Sequence, residues 1–115
     1  MKKLGQFLKF DWDGFAEGKI FRVRSIKPWL DFEDKEKVLG VVVEAVIVED
    51  RTFYDCKPGE EVSNIYEPIS FKIRKSSVTV SAGDLVVPVG VKATVYGEFR
   101  NKLSVKADDV MVYEP

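Results

Sequence analysis

Catalysis in this chain would have to come from carboxylates, because it has no histidine and a single cysteine, Cys56. Mechanisms in which histidine activates a Ser or Cys nucleophile are excluded. One Cys without His cannot supply the four ligands of a structural zinc site. A lone thiol also closes no internal disulfide, so Cys56 reads as an ordinary surface or core residue. Carboxylates remain, among them the adjacent pairs Asp108-Asp109 and Glu60-Glu61. Neighbours on a strand point to opposite faces, so neither pair would converge on one substrate. Both read as solvated charge, and Asp108-Asp109 also as a bend where a strand changes phase. Asp11-Trp12-Asp13-Gly14 has the start of a calcium loop without the remaining oxygen ligands or the closing Glu, and reads as a polar turn. No Gly-rich phosphate loop or dinucleotide fingerprint occurs. The expectation is a binding protein rather than an enzyme, with no metal or cofactor.

The binding chemistry lies in basic and aromatic residues interleaved on strand exteriors. Arg22 and Arg24 alternate on one strand, with Lys27 and Trp29 just beyond. Lys72, Arg74 and Lys75 cluster on another, and Tyr96 points outward beside Lys92. Phe53 and Tyr54 follow Arg51 where a long strand leaves the sheet. Single-stranded nucleic acid is held by such a set: cations follow the phosphates while rings stack on bases, at ~1–3 kcal/mol per base. The candidate contacts are Arg22, Arg24, Lys27, Lys72 and Arg74 for phosphate, and Trp29, Tyr54 and Tyr96 for bases.

Period-two hydrophobicity supplies the elements that position them. Six segments carry it: Phe7–Trp12, Lys19–Ile26 stopped by Pro28, Val38–Glu49, Ile69–Lys75, Val91–Phe99 and Leu103–Tyr113. The third is long enough that it must coil or bend, and Gly40 is the expected place. Arg100-Asn101 reads as a tight hairpin. Two long loops are expected, the acidic Trp29–Lys37 and Thr52–Pro68 with its Lys57-Pro58-Gly59 turn. Ser76–Gly90 is a less defined connection in which Val78 and Val80 suggest a short strand. Phe21, Val23, Val41, Val43, Phe71, Ile73, Val95, Leu103 and Val105 are expected to share one core, with Trp12 and Phe99 also packed inside.

The 115 residues suit a single domain over 1–115. The 18 basic and 19 acidic residues leave a net charge of −1, so phosphate attraction would depend on a local patch. No run approaches the ~20 apolar residues of a membrane helix, which predicts no membrane association and a cytoplasmic location. Exposed strand edges make a homodimer a natural expectation.

The expected fold is all-β: a five-stranded OB-type barrel with an N-terminal extra strand and short helical or irregular connections. Gly90–Phe99 followed by Lys102–Ala107 looks like the last two strands of many OB proteins. Gly5-Gln6-Phe7-Leu8-Lys9-Phe10 and Val105-Lys106-Ala107-Asp108-Asp109-Val110 resemble the ends of a helicase processivity family encoded on conjugative elements. Phage single-stranded-DNA-binding proteins of this size are similar too. The resemblance implies a single-stranded DNA-binding, helicase-assisting protein of a mobile element or phage, with a helicase or relaxase as partner in conjugation or DNA replication. The alternative is a protein–protein or structural module of a phage or secretion apparatus, which the acidic run Asp31–Glu36 favours.

Overall fold

Strand-forming sequence dominates the computed structural model, which describes residues 1–4, 8–52, 54, 58–60, 62–99 and 101–114. A short helix α1 (Trp12–Ala16) precedes β1 (Lys19–Leu30), β2 (Val38–Asp50), β3 (Pro68–Ile73), β4 (Leu85–Val89), β5 (Lys92–Tyr96), β6 (Lys102–Ala107) and β7 (Asp109–Val112). The seven strands form one open sheet in the order β5-β6-β3-β2-β1-β4-β7, so the protein is all-β. β3 and β6 run parallel and every other pair is antiparallel. β4 and β5 are separated only by Gly90-Val91, and β6 and β7 only by Asp108. β4 pairs with β7 and β5 with β6, so these four make two successive hairpin segments with a bend between them.

The core follows the alternation. Phe21, Val23, Val41, Val43, Ala45, Ile47, Ile69, Phe71, Ile73, Val86, Val105, Ala107 and Val110 are buried together. Phe71 is 0% exposed and meets Phe21 edge-on at 5.5 Å and Trp12 at 6.1 Å between ring centroids. Leu103 and Trp12 are half-buried against this cluster, and Val95 is half-buried.

Several expectations need correcting. The N-terminal strand is absent from residues 8–12, Phe7 lying outside the described residues: Asp11 caps a five-residue helix there, its Oδ1 accepting from the Gly14 amide at 3.0 Å. Pro28 does not stop β1, which continues to Leu30. Beyond Arg22 only β2 is laddered to β1, so proline occupies an edge, where it is tolerated. Val78 and Val80 form no strand, whereas Leu85–Val89, within the connection left undefined, is β4. The expected bend at Asp108-Asp109 does divide the last long strand, the buried positions changing there from Val105 and Ala107 to Val110. Phe99 is 79% exposed, in the turn between β5 and β6. That turn is wider than Arg100-Asn101: Tyr96 pairs with Lys102, leaving 97–101 between, with Gly97 at φ +94°. Phe53, Cys56, Lys57, Glu61 and Arg100 lie outside the described residues, as do Gly5-Gln6-Phe7 of the resemblance.

Gly40, expected as the place where β2 coils or bends, is a point of close approach between β2 and β3. A side chain at Gly40 would place its Cβ 2.0 Å from the Ile73 carbonyl oxygen, so only glycine lets β3 approach this closely.

Candidate nucleic-acid interface

Register decides which basic residues meet. Lys92 pairs with Lys106, Lys106 with Lys72, Lys72 with Val42, and Val42 with Lys27. The flanking partners Phe71, Val105 and Val43 are buried, so this row occupies the opposite, outer face of the sheet. At the usual ~4.8 Å between strands it crosses five strands in roughly 19 Å. Like charges placed directly opposite destabilise a sheet, so a row of lysines needs an anion or solvent to compensate it.

Trp29 stands two residues beyond Lys27, opposite Gly40, so no side chain intervenes between its indole and β3. The Arg74 guanidinium carbon lies 5.1 Å from the indole centroid and Lys72 Nζ 5.7 Å, both within cation–π range. A cavity of about 230 Å³ opens here, lined by Trp29, Lys72, Arg74, Lys92, Lys106 and Asp108 among others. Lys72, Arg74, Lys92 and Lys106 form no salt bridge with any described residue. Lys27 is instead 3.2 Å from Glu44, a partly exposed pair worth little. The Ser25 hydroxyl donates to Glu44 at 2.8 Å, and together with Lys27 it holds that carboxyl below its ordinary range.

The structure therefore gathers Lys27, Trp29, Lys72 and Arg74 into one patch and separates the remaining candidates from it. Arg22 and Arg24 are exposed on β1, three to five residues from Lys27, or roughly 10–16 Å at strand rise. Arg24 is displaced by a bulge, Val23 and Ser25 pairing with the consecutive Ala45 and Glu44. Tyr96 is 51% exposed beside Lys102, at the far end of β5 from Lys92. A second, larger cavity of about 1180 Å³ lies near it, where β3 and β6 diverge between Ser70 and Ser104. Lys92 and Lys106 belong to the site although sequence reasoning did not place them in it. Their outward alternation was visible, but the parallel β3–β6 pairing that aligns them with Lys72 is non-local.

Tyr54 is taken for another purpose. Its hydroxyl donates to Asp50 Oδ2 at 2.7 Å and accepts from Asn64 Nδ2 at 2.8 Å. Asp50 also accepts from the Asn64 and Thr52 amides, and lies 3.4 Å from Lys19 Nζ with both side chains fully buried. Burial alone would raise the Asp50 pKa, but these hydrogen bonds outweigh it and hold the carboxyl well below its ordinary value. Lys19 donates to the Phe15 carbonyl and Thr52 Oγ1, each at 2.7 Å, and faces the Phe15 ring. The network ties α1 and the 51–67 loop to the paired ends of β1 and β2, and commits the Tyr54 hydroxyl to a structural role away from the lysine row.

Among the described residues no group of three or more acidic or Cys side chains could hold a metal, and no helix is long and apolar enough to cross a membrane. No protein-family model, curated protein or solved structure matches the chain.

Proposed function

We propose that this chain is a non-catalytic single-stranded nucleic-acid-binding domain of OB type, working through its outer basic face. The observation that carries this reading is the cross-strand row Lys92–Lys106–Lys72, free of ion pairs with described residues and bordered by Trp29. A strand's phosphates would neutralise the row, and Trp29 and Tyr96 would offer rings to unpaired bases. The OB reading treats β4 with β5 as one bent strand and β6 with β7 as another. Five strands then follow in the cyclic order first, second, third, fifth, fourth, with the parallel β3–β6 pair joining third to fifth. The bends at Gly90-Val91 and Asp108 would join the ends of the hydrogen-bonded sheet. The resemblance of the terminal segments extends the proposal to a helicase helper of a mobile element or phage.

The test is titration of the protein with labelled oligothymidine and with duplex of equal length at two salt concentrations. Oligothymidine should bind better, because a duplex hides its base faces, and binding should weaken as salt rises. Changing Lys72, Arg74, Lys92 and Lys106 together to Ser should flatten the log–log salt slope by roughly 3, at about 0.7 per lost single-strand contact. A folded sample that binds no strand at low salt would instead favour a protein–protein module. The observation supporting that second reading is Phe32, 96% exposed in an acidic loop ordered by Asp31, whose Oδ1 accepts from the Glu33 and Asp34 amides.

A further inference from the structure

The lysine row is flanked along β6 by a carboxylate, Asp108, and a polyanion would feel both. Lys72, Arg74, Lys92 and Lys106 line one cavity of about 230 Å³ with Trp29 as a wall. Asp108 also lines it, at the bend between β6 and β7. Its carboxylate is packed against Gly90: a Cβ added there would lie 2.1 Å from Asp108 Oδ2. Asp109 follows at once, bound by Lys75 at 2.8 Å, so the one further cation lining the cavity is already paired. Four cations that pair with no described carboxylate thus line a space the size of a nucleotide fragment, with the Asp108 carboxylate at its edge.

An internal phosphodiester carries one negative charge and must be followed by another a nucleotide later. A strand leaving the cavity along β6 toward the bend would bring its next phosphate to Asp108. A terminal phosphomonoester carries close to two charges at neutral pH and needs no successor. We propose, resting on the single-strand reading above, that this cavity is a terminal-phosphate site. It holds the phosphorylated end of a strand between Lys72, Lys92, Lys106 and Arg74, with the terminal base against Trp29 and Asp108 repelling further chain. The protein would then cap or recognise phosphorylated ends rather than bind anywhere along a strand.

The experiment compares three fluorescent decathymidylates with the intact chain at low salt: one with a 5′-phosphate, one with a 3′-phosphate and one with hydroxyls at both ends. Thymidine monophosphate serves as an unlabelled competitor. One phosphorylated strand should bind about tenfold tighter than the hydroxyl strand. Lys92→Ser with Lys106→Ser should abolish that preference, and Asp108→Asn should narrow it by admitting longer chain. Equal affinity for all three strands overturns the end site and leaves strand binding intact. Monophosphate competing as strongly as the phosphorylated strand overturns it in favour of a free-nucleotide site. Absence of binding to any of the three strands overturns both this proposal and the reading on which it rests.

Discussion

Replacing Asp50 by Asn keeps the shape of the side chain and removes its charge, which isolates the fully buried Lys19 ammonium 3.4 Å away. Removing one partner of a buried pair costs ~3–5 kcal/mol, mostly because the surviving charge is left uncompensated. The local geometry places Asp50→Asn near the lower end. Lys19 would keep the Phe15 carbonyl, Thr52 Oγ1 and the Phe15 ring at 4.1 Å, and the amide oxygen could still accept from Asn64 and Tyr54. The expected loss is about 3 kcal/mol, a large part of the ~5–15 kcal/mol stability of a domain. With a urea dependence near 2 kcal/mol per molar, the unfolding midpoint should fall by roughly 1.5 M. Circular dichroism in urea measures this directly. The companion change, Lys19→Met with Asp50→Leu, removes both charges and should cost less than the single substitution, since apolar replacement of a buried pair is often near neutral. A single-substitution cost below ~1 kcal/mol, or a double variant less stable than the single, would refute the claim that the pair is desolvated and mutually dependent.

Other perturbations test the rest of the core and the same network. Phe71→Ala should cost roughly 3–5 kcal/mol by urea unfolding, because the ring is 0% exposed and packs against Phe21 and Trp12. Gly40→Ala should destabilise by at least ~2 kcal/mol in a thermal melt, since its Cβ would fall 2.0 Å from a backbone oxygen that cannot turn aside. Stability should be level above about pH 5 and decline below the ordinary carboxyl value near 3.8. Asp50 is held low in the folded state, so its contribution is complete above the unfolded pKa and is lost as pH falls through the folded one; Asp50→Asn should flatten that decline. Tyr54→Phe should cost about 1–3 kcal/mol and leave oligothymidine affinity unchanged, because the hydroxyl serves Asp50 and Asn64.

The central hairpin and its neighbour were legible because their alternation is long and each has one buried face: Lys19–Ile26, Val38–Glu49 and Ile69–Lys75 correspond to β1, β2 and β3 within a few residues. The bend at Asp108 was legible from the switch in apolar phase. Leu8, Phe10 and Trp12 alternate equally well, yet Trp12 begins a helix, because the local cap from Asp11 acts on a segment too short for periodicity to decide. β4 was not legible because Leu85–Val89 is short and lacks polar alternation; its Pro88 is tolerated because the β1–β4 ladder ends at Val86. Half of the site was readable, since Trp29, Lys72 and Arg74 announce themselves by type. Their alignment with Lys92 and Lys106 was not, because parallel pairing between segments more than thirty residues apart leaves no local trace. The bonds of the Tyr54 hydroxyl were illegible for a related reason: nothing in its neighbourhood along the chain signals a bond to Asn64.

Asp108 also makes the last strands unusually sensitive to chain length. Leu103, Val105 and Ala107 face inward at odd positions, and Val110 faces inward at an even one. The single residue at the bend is the counter that resets parity. Deleting it would splice β7 onto β6 in one uninterrupted alternation, with Val110 still inward and Asp109 still outward. The hydrophobic pattern would survive, and the cost would fall on the bend that carries the chain from its pairing with β5 to its pairing with β4, together with the amide that Asp108 donates to the Val89 carbonyl. Natural variants of this protein should therefore tolerate length change in the 51–67 or 97–101 segments more readily than at this one residue.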